Sequence, residues 1–366
     1  MHLQKLSLLN FKNIAEAEIE LSPQINCFVG DNATGKTNLL DAVHYLSMGK
    51  SAFSLSDSQC MRHGEDNFLV NGCYLDSAEH TERIVCSCRK GAPKKLCRNG
   101  KEYEKLSDHV GLVPLVMVTP SDTSLINESG EERRRYLNSF ISQLDREYLS
   151  TLVRYNRILA ERNRLLKTQH LPHFDELLDV LDLQLAPLGT MLYEHRKRLL
   201  EELAPLVAEY YATLSGDRER VELDYRSELA ARPFDEILRD AAQKDRINQF
   251  TTSGVHRDDI RMGIGGYPLR KYGSQGQQKS FLVALKLAQY DIVAARHPSR
   301  PILLLDDIFD KLDMQRVGQL IRIVADRRFG QIFITDCNKV RLEAVLSDSG
   351  CAYTLFNVTD GTIRPL

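Results

Sequence analysis

"GDNATGKTNLLDAVHYL", Gly30 to Leu46, decides how this chain of 366 residues is to be read. Its opening residues, Gly30-Asp31-Asn32-Ala33-Thr34-Gly35-Lys36-Thr37, fit the pattern G-x-x-x-x-G-K-S/T in full. "INCFVG" before it reads as a buried strand and "NLLDAVHYL" after it as a helix, and that strand–loop–helix context gives the pattern its meaning. Glycines let successive amides curl around phosphate oxygens, and the following helix presents free N–H groups. Lys36 reaches the β and γ phosphates, and the Thr37 hydroxyl can ligate Mg²⁺. Every residue from Gly30 to Thr37 is therefore a candidate nucleotide-binding residue; the alternative is a glycine-rich turn that matches by chance.

Upstream of this loop, "LQKLSLLNFKNIAEAEIELSP" alternates apolar and polar residues and predicts two pairing strands ahead of the buried third. Downstream, from 66 to 118, "NFLVNGCYL", "RIVCSC" and "LVPLVMV" are strand-like segments between polar turns, which predicts a mixed sheet rather than a βαβ series. Near 128 the period changes. Leu137, Phe140, Ile141, Leu144, Tyr148, Leu152, Tyr155 and Leu159 recur at three- and four-residue steps, the mark of a helix. A second helical segment is expected from Phe174 to Leu214, broken or kinked near Pro187 and Pro205. Two such helices, at about 1.5 Å rise per residue, make an arm. The strand pattern then resumes, so one α/β unit is interrupted by a helical insertion: 1–125 and 251–366 form the unit, and 126–250 the arm.

Two further stretches lie in the last hundred residues. "ILLLDDIFDKLD" reads as a buried parallel strand whose tip carries paired carboxylates. Asp306 would hold Mg²⁺ and Asp307 would act as general base toward an attacking water, with a strand end capped by two exposed aspartates as the alternative. Before it, Ser274-Gln275-Gly276-Gln277 runs straight into an apolar helix and holds no acid, base or metal ligand.

Composition bounds the rest. A content of 43% hydrophobic residues fills a substantial core, and the longest apolar runs, such as "PILLL" at 301–305, are too short to span a bilayer. The N-terminus lacks a signal peptide's features, so a soluble, cytoplasmic protein without a membrane partner is expected. None of the cysteines forms a C-x-x-C pair, and they read as reduced, mostly buried small hydrophobes. The net charge of −2 gives no global pull on nucleic acid, which would need a local patch. Arg133, Arg134, Arg135, Arg146, Arg154, Arg157, Arg162 and Arg164 supply cations along the first helical segment, but Glu131, Glu132, Asp145, Glu147 and Glu161 are interleaved. Phosphate contact and a solvated, internally paired face both remain open for them. Lys94 and Lys95 on a predicted hairpin are a second candidate.

The order of these motifs resembles that of ABC-type ATPases, in which S-x-G-Q is the signature ahead of the acidic strand. More closely, "LQKLSLLNFKNI", "GDNATGKTNLLDAVHYL", "VTPSDTSLINESGEERRRYLNSFISQLDREYL", "GVHRDDI", "SQGQQKSFLVALKLAQ" and "ILLLDDIFDKLD" are similar to blocks of the RecF family, short relatives of the heads of structural-maintenance-of-chromosomes proteins. The resemblance implies an α/β ABC-type P-loop ATPase head, with mixed sheets and flanking helices, interrupted by the helical arm. It implies ATP and Mg²⁺ as cofactors and an ATP-dependent homodimer. In that dimer Ser274, Gly276 and Gln277 of one chain would complete the site around Lys36 of the other, with Asp313 on the D-loop at the same interface. It further implies binding of single-stranded, gapped or junction DNA, loading of a recombinase in replication, recombinational repair and the SOS response, and partnership with RecR and RecO. Three positions depart from the wider ATPase pattern. Asp307 stands where most have Glu, one methylene longer, which predicts slow, DNA-stimulated hydrolysis. No switch His is evident in "QIFITDCN", where Asp336 or Asn338 stands nearby, and no Gln follows "VMVTPSD". The alternatives are an ATPase subunit of a transporter or chromosome-organising complex, a small-molecule kinase, and a module that binds ATP with little turnover.

Overall fold

A computed structural model of the chain describes every residue except Leu55, Ser77, Leu171, 310–313, 326–328 and Cys351. Asp313, the residue matched to the D-loop, lies outside the described residues. Strands β1 (His2–Phe11), β2 (Ile14–Glu20) and β3 (Ile25–Val29) precede helix α1 (Lys36–Met48). They are followed by β4 (Asn67–Leu75), β5 (Thr81–Arg89), β6 (Lys95–Arg98), β7 (Lys101–Glu102) and β8 (Leu115–Val118). Next come α2 (Ser124–Asn127), α3 (Gly130–Leu144), α4 (Arg146–Leu165), α5 (Phe174–Ser215), β9 (Val221–Arg226), α6 (Phe234–Asn248), β10 (Asp259–Ile264), β11 (Tyr267–Pro268) and α7 (Leu269–Tyr272). The last stretch holds α8 (Gln275–Arg296), β12 (Ile302–Asp306), α9 (Met314–Val324), β13 (Ile332–Asp336), α10 (Lys339–Ser349), β14 (Tyr353–Thr359) and β15 (Thr362–Pro365).

The chain divides into two compact units. One comprises Met1–Asp122, Thr213–Asp217 and Gln275–Leu366, the other Thr123–Ala212 and Arg218–Ser274. The first unit is built on two six-stranded sheets, ordered β2-β1-β4-β5-β6-β7 and β15-β14-β3-β13-β12-β8. Pairing in the first sheet is antiparallel throughout, and its strands alternate: β4 buries Phe68, Val70, Gly72 and Tyr74 and half-exposes the residues between. In the second sheet β3, β12 and β13 are parallel neighbours buried at every position, as a strand covered on both faces must be. Helix α1 packs against strands of both sheets, and its Leu39, Leu40, Val43, Tyr45 and Leu46 join them in one apolar core. Phe28 anchors the loop-bearing strand there, stacked on Phe356 at 4.9 Å between ring centres, with Phe333 on the neighbouring strand at 6.2 Å.

In the second unit the first helical segment breaks at Asp145, between α3 and α4. Its φ of −141° ends α3, and its carboxylate accepts from the Glu147 and Tyr148 amides, capping α4. Of the two outcomes expected at the prolines, a break does not occur: α5 runs 42 residues with Pro187 and Pro205 inside it. Each proline deletes one i→i−4 bond, but a helix held by tertiary packing tolerates the loss. Leu185, Leu192, Leu199, Leu203 and Tyr211 of α5 are fully or almost fully buried. This unit also carries a three-stranded sheet, β11-β10-β9, and continues to Ser274. Its interior holds two arginines in fixed polar cages. Arg162 pairs with Asp182 at 2.5 Å and Asp245 at 2.6 Å and bonds Thr251, while Arg196 donates to Tyr148, Asn138 and the Val255 carbonyl.

Candidate functional site

Because β3, β12 and β13 are parallel, their C-terminal ends gather on one edge of the sheet, the place where open α/β sheets put ligands. From β3 the chain enters the loop Gly30 to Thr37. Asp31, Asn32 and Ala33 form its exposed crest, and Thr34, Gly35 and Lys36 are buried beneath. The Lys36 ammonium donates to the Gly30 and Asp31 carbonyls at 2.7 and 2.6 Å, and the Thr34 hydroxyl to the Asp31 carbonyl at 2.9 Å, so the loop closes on its own backbone. Gly30 cannot be replaced without moving that backbone, since a Cβ there would lie 2.2 Å from the Val358 carbonyl. Gly35 has φ of 115°, in the region that favours glycine, and caps α1 without a side chain. The first-turn amides of α1 therefore remain available to an anion, on the positive end of the helix dipole.

The acidic strand meets the loop directly. The Thr37 hydroxyl lies 3.0 Å from both carboxylate oxygens of buried Asp306. The Thr335 hydroxyl, at the end of the strand lying between β3 and β12, donates to Asp306 Oδ1 at 2.7 Å and accepts the Asp307 amide at 3.0 Å. Asp307 has φ of 44°, a left-handed conformation costing a non-glycine residue roughly 1–2 kcal/mol. Its Oδ1 is enclosed and meets no donor among the described residues. Lys279, in the first turns of α8, approaches the Asp307 carbonyl at 3.4 Å. One hydroxyl and one carboxylate, oxygen donors only, suit a hard divalent cation such as Mg²⁺, and amides at a helix start suit phosphate, so the residues present fit both cofactors.

Other expected residues fall elsewhere. Gly276 and Gln277 are in the first turn of α8, and Ser274 is the last residue of the helical unit. Asp336 is buried and held by Arg341 through two contacts of 2.8 Å, and Asn338 accepts the Arg341 amide to cap α10. Cys337 between them is exposed, and ligand atoms of Asp307, Asp336 and Cys337 lie within 4.8 Å of one another. Of the arginines weighed for DNA, Arg133 is bound to Asp259, Arg134 to the Asp258 carbonyl, Arg135 to Glu131 and Glu132, and Arg162 is interior. Arg146, Arg154, Arg157 and Arg164 remain on the exposed side of α4, Arg157 beside Glu161 at 3.9 Å. Lys94 is tied to Asp57 and the Gly49 carbonyl.

Two supports escaped the sequence reading. Thr335 carries no motif, and its role follows only from the pairing of Asp306 with Thr335 across the sheet. Asn13, in the β1–β2 turn, donates to the Thr34 carbonyl at 3.1 Å, accepts from Asn38, and would lie 2.9 Å from a Cβ on Gly35.

Burial raises the Asp306 carboxyl above its ordinary range, with Asp307 adding to the rise and the hydroxyls of Thr335 and Thr37 opposing it. With the folded value above the unfolded one, the protonated carboxyl favours folding. That contribution is present below the unfolded pKa and is lost as pH rises through the folded one. Asp306→Asn is therefore expected to raise the melting midpoint of the metal-free protein at mildly alkaline pH, by a margin that shrinks as pH is lowered. A margin that is constant with pH in thermal melts would contradict it. Mg²⁺ competes with the same proton, so its affinity is expected to fall with pH in wild type.

A family model described as "RecF/RecN/SMC N terminal domain" matches residues 2–357. The protein named "DNA replication and repair protein RecF" in Parabacteroides distasonis is 47% identical over 366 residues, covering 100% of both chains. Its namesake in Flavobacterium johnsoniae is 45% identical over 98% of this chain and 100% of its own. Among solved structures, the recombination mediator protein RecF with ATPrS, from the RecFOR pathway, superimposes with a TM-score of 0.89 at 28% identity, covering 100% of this chain and 98% of that one. An Smc head bound to the C-terminal winged-helix domain of ScpA reaches 0.61 at 15% identity, over 100% of this chain and 97% of that one, a likeness of fold alone. The two-sheet unit with its interrupting helical unit is thus the SMC-type ATPase head fold.

Proposed function

This chain belongs to the RecF family of DNA replication and repair proteins, and from that premise we propose that it is an ATP-switched DNA-binding protein acting at single-stranded gaps or junctions. The observation that carries the reading is the Thr37–Asp306 contact at the start of α1, which joins a phosphate loop to an acidic strand. ATP lies along Gly30 to Thr37, with Lys36 on its β and γ phosphates and the α1 amides around them. Thr37 and Asp306 hold Mg²⁺, which when bound neutralises charge on the phosphates. Ser274, Gly276 and Gln277 of a second copy close the site, so that ATP joins two chains into a DNA-binding dimer. Asp307 takes the proton of the attacking water, and its Oδ1, which meets no donor among the described residues, is the atom suited to it. An aspartate reaches less far than a glutamate, and hydrolysis is slow, serving release rather than metabolism. The setting is cytoplasmic, in replication, recombinational repair and the SOS response, with RecR and RecO as partners in loading a recombinase. The relatives' shared name supports replication and repair, and the RecFOR pathway in the solved homologue's description supports the recombinational setting. Among the described residues no helix is long and apolar enough to cross a membrane.

Light scattering with ATP, ADP and no nucleotide, with and without gapped DNA, tests the reading. Wild type is expected to dimerise with ATP only. Ser274→Arg is expected to keep ATP affinity and remain monomeric, because a bulky cation replaces the hydroxyl that the partner's nucleotide needs. A wild-type chain that stays monomeric in saturating ATP overturns the proposal.

A further inference from the structure

The segment from Ile260 to Ser274 holds Arg261, Arg270 and Lys271 and no acidic residue, in a chain whose net charge is −2. It folds as strand β10, a two-glycine turn, the short edge strand β11 and helix α7. At its end two tyrosines stand in the open: Tyr267 is 58% and Tyr272 63% exposed, with ring centres 4.9 Å apart and planes inclined by 41°. Large aromatic rings are seldom left in water without a use, and here two touch each other while each keeps most of its surface free. Arg270 and Lys271 lie between them in sequence, both exposed and neither in an ion pair with a described residue. The carboxylates of this small sheet do not neutralise the patch. Glu222 pairs with Gly263, which also pairs with Pro268, so Glu222 and Asp224 alternate onto the face opposite that of Ile264 and Tyr267. Arg261, across from Asp224, is on that other face and plays no part.

Two exposed, touching rings, with two exposed cations between them in sequence that pair with no described carboxylate, match the chemistry of a single-stranded nucleic acid, whose unpaired bases stack on aromatic faces while its phosphates meet cations. A duplex hides its base faces and has use for the cations only. We propose that Tyr267 and Tyr272 form a stacking platform for unpaired bases, with Arg270 and Lys271 on the adjoining phosphates, and that this patch makes the protein prefer DNA with a single-stranded extension over blunt duplex. The proposal rests on the DNA-binding reading above and adds to it the residues that recognise the unpaired strand.

The test compares, with ATP present, fluorescence anisotropy on a blunt duplex and on the same duplex with a single-stranded extension carrying 2-aminopurine beside the junction. Tyr267→Leu/Tyr272→Leu keeps apolar bulk and removes the rings. It is expected to weaken binding of the extended substrate about ten-fold, one stacked base's worth, and to leave the blunt duplex unchanged. Quenching of 2-aminopurine by wild type should disappear in this variant and return in Tyr267→Phe/Tyr272→Phe. Arg270→Gln/Lys271→Gln should weaken the extended substrate and flatten its salt dependence. Equal loss on both substrates, no loss on either, or loss of ATP-dependent dimerisation with DNA affinity intact would each overturn the platform, the last by assigning the rings to a protein contact. Wild type that binds neither substrate with ATP overturns the DNA-binding reading itself, whereas wild type that binds both equally overturns the platform alone.

Discussion

Lys36→Met is expected to lower ATP affinity on the order of a hundred-fold while leaving the fold standing, as read by titration calorimetry and thermal melting. Among the described residues the lysine's Nζ is the side-chain cation bonded to the loop's own backbone, where it holds the carbonyls of Gly30 and Asp31. Removing a buried charged partner from an anion costs about 3 kcal/mol, which is roughly that factor in binding. The folded state loses less, because the carbonyls it releases lie beside an exposed crest and can take water in its place. Methionine keeps the stem that packs under the loop. Affinity within a few-fold of wild type would show that phosphate is held elsewhere, and a collapse in melting midpoint would show that the lysine is structural.

The second large effect concerns stability. Arg162→Leu is expected to destabilise the helical unit by about 4 kcal/mol, because it strands Asp245, which is wholly buried and depends on the guanidinium. Asp182 is partly open to water and suffers less. For a unit of this size the melting midpoint of the affected transition falls by about 10 °C. Replacing both partners, Arg162→Leu with Asp245→Leu, is expected to recover most of the loss, because the penalty belongs to the orphaned charge rather than to the missing bond. Urea denaturation of the two variants decides it. A single variant as stable as wild type, or a double variant worse than the single, would refute the assignment. Arginine 162 had been weighed as a DNA contact; its interior position removes it from that role.

What could be read from residues alone was what repeats or what matches a pattern with known geometry. The phosphate loop, the alternation of β1 and β4, the fully apolar strand before Asp306 and the helical period through Tyr155 all announce themselves locally. Contacts across long separations do not. Thr335 joins Asp306 to Asp307 only because its strand lies next to β12, and Asn13 buttresses a loop 21 residues away because the β1–β2 turn folds against it. Asp145 looked like one more charge in a helix, since a capping aspartate and a solvated one have the same neighbours in sequence. The prolines of α5 could not by themselves tell a break from a continuous helix, because that depends on the burial of the leucines around them. The arginines were undecidable for the same reason: Arg133 and Arg162 find carboxylates 126 and 83 residues away.

The order of strands in the parallel sheet has a consequence for how this protein comes into being on the ribosome. β3, which delivers the phosphate loop, is paired on one side with β13 and on the other with β14, and with no earlier strand among the described residues. Both neighbours begin after residue 331, so the loop's strand keeps both edges unpaired until synthesis has passed that point. Long-range parallel pairing of this kind is slow and leaves sticky edges in the meantime. The strand that delivers the Gly30–Thr37 loop thus pairs late, and a truncated product that stops short of β13 would display an aggregation-prone strand with both edges open.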